Sequence, residues 1–192
     1  WYTTYNRDLL GVDRAGATPF WRAAYALDLD AMRLLLGYAA DPHLPTIRVP
    51  ERRRPPASDV SGLPPTPLGG PAVSPLLAAS GVGYGQGYAG NTHRHVTDGW
   101  VPAVRFLVEE TGADVHFRDH NGYNAIHHAA ARGDNKLIEY LVSRGVDVTQ
   151  VGRAGQTTVD MANGPVQRIQ PFPDTISLLE SLGATNSHRC LS

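Results

Sequence analysis

The chain has 192 residues, 17 Lys plus Arg against 18 Asp plus Glu, and a formal net charge of -1, so no strong field of either sign steers it to nucleic acid or an anionic membrane surface. A single cysteine, Cys190, excludes an internal disulfide and any intrachain four-Cys or Cys-x-x-Cys metal site. No run of 18 or more apolar residues is present to span a bilayer, and the N-terminus lacks the basic and apolar regions of a signal peptide. The hydrophobic content of 42% suffices for a packed core, whereas 20 glycines and 15 prolines exceed the ordinary background of about 12% and need a location. The opening at Trp1, with no initiator Met, leads us to expect a soluble piece processed or excised from something longer, of undetermined compartment.

Residues 1–12 carry aromatic side chains but no full repeat, and read as a partial cap or the stump of upstream repeats. From Gly16 to Asp41 the chain then runs G-A-T-P-F-W-R-A-A-Y-A-L-D-L-D-A-M-R-L-L-L-G-Y-A-A-D, a short helical pattern, a break, and a second apolar-periodic helix. Thr18 before Pro19 supplies a hydroxyl acceptor ahead of a residue whose missing N–H costs nothing in a first turn. The phrase returns from Gly122 to Asp147, with Leu137, Ile138, Tyr140, Leu141 and Val142 as the second apolar stripe and Gly145 as its stop. Between them Ser74–Ala79 opens a degenerate copy, which Val104–Val108 and Gly112–Asp114 close. Gly155–Ala162 opens a last one, which Ile176–Leu179 and Gly183-Ala184 close.

With Thr18, Ser74, Asn124 and Thr157 as phase markers the spacings are 56, 50 and 33. Against the last, 23 extra residues fall between Asp41 and Ser74; 16 fall between Ser80 and Val104, in the turn joining two helices, with one more near Thr111; and five lie between Asn163 and Ile176. The surplus Gly and Pro concentrates in the first two insertions. A pair of helices of about ten residues, each with one apolar stripe, cannot bury both stripes alone, so neighbouring pairs must stack. Ala23, Ala24, Ala129 and Ala130 are small where helix must approach helix, while Ser177, Glu180 and Ser181 suit an outer capping face.

These residues strongly resemble the ankyrin repeat family, whose repeat opens with D-x-x-G-x-T-P-L-H and closes with L-L-L-x-x-G-A-D. Asp13, Gly16, Thr18, Pro19 and Phe20 match one opening, and Asp119, Gly122, Ile126 and His127 another. The resemblance runs roughly from Asp13 to Ala184. It implies an all-α repeat solenoid of stacked helix-turn-helix pairs with hairpin-like loops, interrupted by two irregular insertions. The divisions expected are repeats at 13–41, 74–118, 119–151 and 152–184, a Pro/Arg-rich insertion at 42–73, a Gly/Tyr/His insertion at 81–99 inside the second repeat, and a tail at 185–192.

Candidate chemistry is sparse. By the resemblance His127 is a structural hydrogen-bonding group between adjacent loops. His128, one residue on in a helix, points about 100° away and cannot readily share an ion with it. His93 and His95, with Asp98, are weak metal candidates, because Arg94 stands between them and no carboxylate cluster is near. Gly81–Gly90 lacks the strand and helix that a dinucleotide loop requires, leaving Tyr84 and Tyr88 as contact residues or a plain excursion. The first insertion carries Arg48, Arg52, Arg53 and Arg54 and a Pro64-x-x-Pro67 match, read as a solvated loop or as a site for an acidic or aromatic-grooved partner. No nucleophile or phosphate-loop motif is present, and a catalytic role is improbable for Cys190 so near a chain end. We therefore expect neither enzymatic activity nor a cofactor.

The expected function is protein–protein recognition, with no nucleic acid, no membrane insertion and a monomeric domain. The alternatives are a structural segment of a larger protein, or a metal site on the insertions. The resemblance implies a concave surface of loop tips and first helices: Arg14, Ala15 and Ala17; His120, Asn121 and Tyr123; Arg153, Ala154 and Gln156; with Tyr25 and Arg132 at first-helix ends. Tyr25, Tyr123, Arg132 and Arg153 are the expected hot spots, since Tyr and Arg are enriched there. Arg52–Arg54 would emerge at the same edge, covering the groove or extending it. The two insertions should leave opposite ends of a helix, about 15 Å apart for ten residues.

Overall fold

Four helices begin on one device. In the computed structural model, which describes residues 15–50, 58–83, 98–164 and 170–187, α1 (Pro19–Ala26), α3 (Pro75–Ala79), α5 (Ala125–Ala130) and α7 (Thr158–Ala162) each follow a capping side chain. Thr18, Ser74, Asn124 and Thr157 accept the backbone N–H three residues on, at 3.0, 3.3, 3.0 and 3.1 Å. These are the four phase markers of the sequence. Each first helix leads to a second: α2 (Leu29–Gly37), α4 (Trp100–Glu109), α6 (Asn135–Ser143) and α8 (Pro173–Ser181). Asp28 and Asp134 cap α2 and α6, accepting from Ala31 and Leu137 at 3.0 and 2.9 Å. The two helices that follow lengthened turns, α4 and α8, have no side-chain cap, because the insertions replace the short turn that delivers the aspartate.

First helices pack in one row, α1 on α3, α3 on α5 and α5 on α7, and second helices in another, α2 on α4, α4 on α6 and α6 on α8. The small residues Ala24, Ala129 and Ala130 are fully buried between rows, with Trp21, Leu77, Ile126, Leu137 and Met161 filling the core. This is an all-α repeat solenoid; among the described residues the only β pairing is the isolated bridge between Ile47 and Pro71, and no helix is long and apolar enough to cross a membrane. Helix length departs from expectation. With only five residues, α3 spans about 8 Å rather than about 15 Å, because the cap and the alanine-rich contact complete the helix within a turn and a half.

The loop tips show where the first insertion enters. Asp41, Asp114 and Asp147 each accept the N–H two residues on, from His43, His116 and Thr149 at 2.8, 2.9 and 2.8 Å. Six residues after each aspartate, the N–H of Ile47, His120 or Arg153 donates to the preceding repeat, to Ala15, Ala72 or Asn121 oxygen at 2.9, 3.2 and 2.8 Å. His120 and Arg153 stand four residues before their caps, whereas Ile47 stands 27 before Ser74. The repeat frame thus continues to Ile47, and the 23 extra residues enter at the tip, over 48–70. Their base is closed by Thr46 N–H to Val73 oxygen at 2.9 Å, Ala72 N–H to Thr46 oxygen at 2.8 Å and Arg48 N–H to Gly70 oxygen at 2.8 Å. The Thr46 hydroxyl accepts the Val73 N–H at 3.1 Å, as the Asp119 carboxylate accepts that of Tyr123 at 2.8 Å one repeat later.

Candidate interaction surface

Residues 58–70 of the inserted segment run along the tips as a strap and meet Arg153. Val60 N–H donates to the Arg153 carbonyl at 3.1 Å. The Arg153 guanidinium donates to the carbonyls of His120 at 2.9 Å, Leu63 at 3.3 Å and Pro64 at 2.7 Å, reaches the Thr66 hydroxyl at 3.4 Å and pairs with Asp59. Arg48 donates to the Thr66 carbonyl from below. Hydrogen bonds from the Ser61 side chain and backbone, then from Arg153, hold the Asp59 carboxyl down at about 2. Arg153 therefore latches the strap, with only 13% of its side chain exposed.

The other expected hot spots are also covered. Tyr25 is buried and stacks on Trp21, ring centres 5.2 Å apart. Tyr123 is buried, its hydroxyl donating at 3.0 Å to Gln156, itself buried in the next repeat; burial raises the Tyr123 pKa. Arg132 lies 3.5 Å from the ring centre of Trp100, pairs with Asp134 at 2.5 Å and reaches the Ser80 carbonyl at 3.4 Å, leaving 6% of its side chain exposed. His120 and Asn121 remain half-buried at the edge. Sequence alone places His120, Asn121, Tyr123 and Arg153 at the tips and Tyr25 and Arg132 at first-helix ends; Tyr123 is covered from the next repeat, and Arg153 by a segment far away in the chain. Arg14, Arg52, Arg53, Arg54, Tyr84, Tyr88, His93, His95 and Cys190 lie outside the described residues. Asp98 is exposed, and among the described residues no group of three or more His, Cys, Asp and Glu is arranged to hold a metal ion.

Beneath the tips lies a buried polar network. Asn124 and His127 cap one another reciprocally at 3.0 and 3.3 Å, and the Asn124 amide donates to the Asp147 carbonyl at 3.1 Å and the Gln150 side chain at 3.0 Å. Burial, then the charges of His128 and Arg118, push the His127 pKa down to about 3, so the ring is neutral and structural. Burial alone would raise the Asp119 carboxyl, but its hydrogen bond and charge interaction with His128, 3.3 Å away, and its contact with the Tyr123 N–H hold it below the usual range. At the far end Ser187 donates from its backbone and hydroxyl to Asp160 at 3.0 and 2.5 Å, folding the tail back onto α7.

Exposed large apolar side chains fall into three places among the described residues: Leu44, Ile47, Val60 and Leu68 belong to 42–73, Leu34 and Tyr38 lie in and just after α2, and Leu182 just after α8. Stacked helix pairs, matching caps and tip-to-tip hydrogen bonds define a repeat solenoid with apolar side chains exposed along its tips. A family model described as "Ankyrin repeats (many copies)" matches residues 93–142, and over that segment the chain is similar to ankyrin repeats. Over 77 residues it is 36% identical to protein phosphatase 1 regulatory subunit 12A of Mus musculus, and equally to that of Rattus norvegicus. The match takes in 39% of this chain and 7% of the length of either relative.

Proposed function

We propose that the chain is a non-catalytic protein-recognition module whose main contact surface is the strap laid across the tips. Ankyrin repeats are in general protein–protein interaction modules. The observation that carries the finer reading is the contrast between surfaces: Tyr25, Tyr123 and Gln156 are buried, whereas Val60 and Leu68 stand 45% and 64% exposed on the inserted segment, beside Leu44 and Ile47 at 47% and 41% on the tip from which it leaves. Apolar side chains held on an anchored backbone offer contact area at low ordering cost. Arg52, Arg53 and Arg54 belong to the same segment, and Arg14, His120 and Asn121 to the same tips, so the partner surface we propose is apolar with acidic flanks.

The test is capture from extracts of the source organism with the wild-type chain and with Val60→Asp/Leu68→Asp, both folded by circular dichroism. The relatives are by name regulatory subunits of protein phosphatase 1, which makes the purified catalytic subunit of that phosphatase the first defined probe. A loss of at least tenfold in the double variant supports the strap, and equal capture by the two proteins overturns it.

A further inference from the structure

Three hydroxyl residues of the chain precede proline: Thr18, Thr66 and Ser74. Two of them are committed to helix starts. Thr18 and Ser74 accept the backbone N–H of Trp21 and Leu77 at 3.0 and 3.3 Å, with Pro19 and Pro75 in the first turns of α1 and α3. Thr66 is placed differently. It lies in the strap, in neither helix nor strand, and Pro64, Pro65, Pro67 and Leu68 around it are all exposed. A residue before proline is pressed into extended backbone, so Pro65 and Pro67 hold Pro64 and Thr66 in that form. The result is an extended, solvent-facing run with a hydroxyl at its centre, the form in which a protein kinase takes a peptide substrate.

The surroundings of that hydroxyl are cationic. Nη1 of Arg153 pairs with the Asp59 carboxylate, while Nη2 donates to neutral acceptors, the Pro64 carbonyl at 2.7 Å and the Thr66 hydroxyl at 3.4 Å. Arg48 donates to the Thr66 carbonyl from the base of the insertion. A contact of 3.4 Å is a long hydrogen bond, and a phosphate on Oγ1 sets anionic acceptors within reach of the same guanidinium, in the bidentate geometry that arginine favours. Ser61 is the opposite case: its hydroxyl donates to Asp59 at 2.5 Å, so a phosphate there would face a carboxylate. We propose that Thr66 is a phosphorylation site for a proline-directed protein kinase, and that the phosphate locks the strap onto Arg153. The Thr66 Oγ1 attacks the terminal phosphorus of a nucleoside triphosphate. The new O–P bond forms as the bond to the leaving diphosphate breaks, and the hydroxyl proton passes to the kinase's base. The lock concerns closure of the strap and holds whether or not the strap meets a partner.

The experiment treats the folded full chain with ATP and a purified mitogen-activated protein kinase, and maps the phosphate by mass spectrometry. Thr66 should be modified about tenfold faster than Thr18 or Ser74, since those two react only when a helix start opens. Thr66→Val removes the incorporation. In the modified chain, amide exchange at Val60 should slow about tenfold, and in phosphorus NMR the phosphate should titrate below its usual second pKa of about 6. Arg153→Ala should abolish both effects while Thr66 is still phosphorylated. A folded chain that stays unmodified at Thr66 overturns the site. Exchange at Val60 that is unchanged or faster after modification overturns the lock, as does slowing that survives Arg153→Ala.

Discussion

Arg153 and Asp59, 94 residues apart in sequence, form an ion pair that closes the inserted strap over the last two repeat tips. The pair alone is a surface contact of small worth. Its weight comes from the carbonyls of His120, Leu63 and Pro64 gathered on the same guanidinium, a planar fork that a lysine could not reproduce.

Arg153→Ala should destabilise the chain by about 2 kcal/mol, since three carbonyl acceptors lose a charged donor. Urea unfolding measures that loss, and hydrogen exchange should show faster exchange at Val60, whose N–H bond to the Arg153 backbone carbonyl remains possible in the variant but loses the side-chain latch that keeps the strap in place. Asp59→Asn should loosen the strap with a smaller effect on global unfolding. The Asp59 carboxyl is depressed on folding to about 2 from 3.8, so its contribution is complete above about pH 4 and fades as pH falls toward 2.

His127 carries an opposite charge type but the same acid sensitivity. Its folded pKa lies near 3, below its ordinary 6.5, so between those values the unfolded chain binds a proton that the folded chain refuses, and stability falls as pH falls. His127→Gln should flatten this part of the profile, with wild type and variant converging in urea midpoint from pH 7 to pH 4. Parallel profiles would show that another group carries the dependence.

Tyr123→Ala should cost about 3–5 kcal/mol as a large-to-small substitution at a buried aromatic, so lost binding in this variant would report unfolding rather than a missing contact. Tyr123→Phe removes only the hydrogen bond to Gln156 and should cost about 1 kcal/mol. Thermal melts of the two variants separate packing from hydrogen bonding.

Truncation after Ala184 removes the two donors that Ser187 gives to the buried Asp160 carboxylate. A loss of about 1–3 kcal/mol is expected, because a buried acceptor is left short of partners. Ser187→Ala should reproduce part of it, the backbone N–H remaining.

Helix starts were the most legible feature, because capping is local. Thr18, Ser74, Asn124 and Thr157 each need only the N–H three residues away. Helix lengths were less so: the stop of α3 after Ala79 depends on packing against α1 and α5, which no local pattern announces. The insertions could be counted, but the entry point at Ile47 emerged only from its hydrogen bond to Ala15, which matches those of His120 and Arg153.

The sequence by itself determined the repeat frame, since caps, glycine stops and apolar stripes are properties of a few neighbouring residues. The tertiary structure alone decided which tip residues are available. Arg153, Tyr123 and Gln156 read as surface positions in isolation, yet stacking buries the last two against one another and the strap covers the first. Exposure depends on what arrives from elsewhere in the chain, and a contact across 94 residues has no local signature.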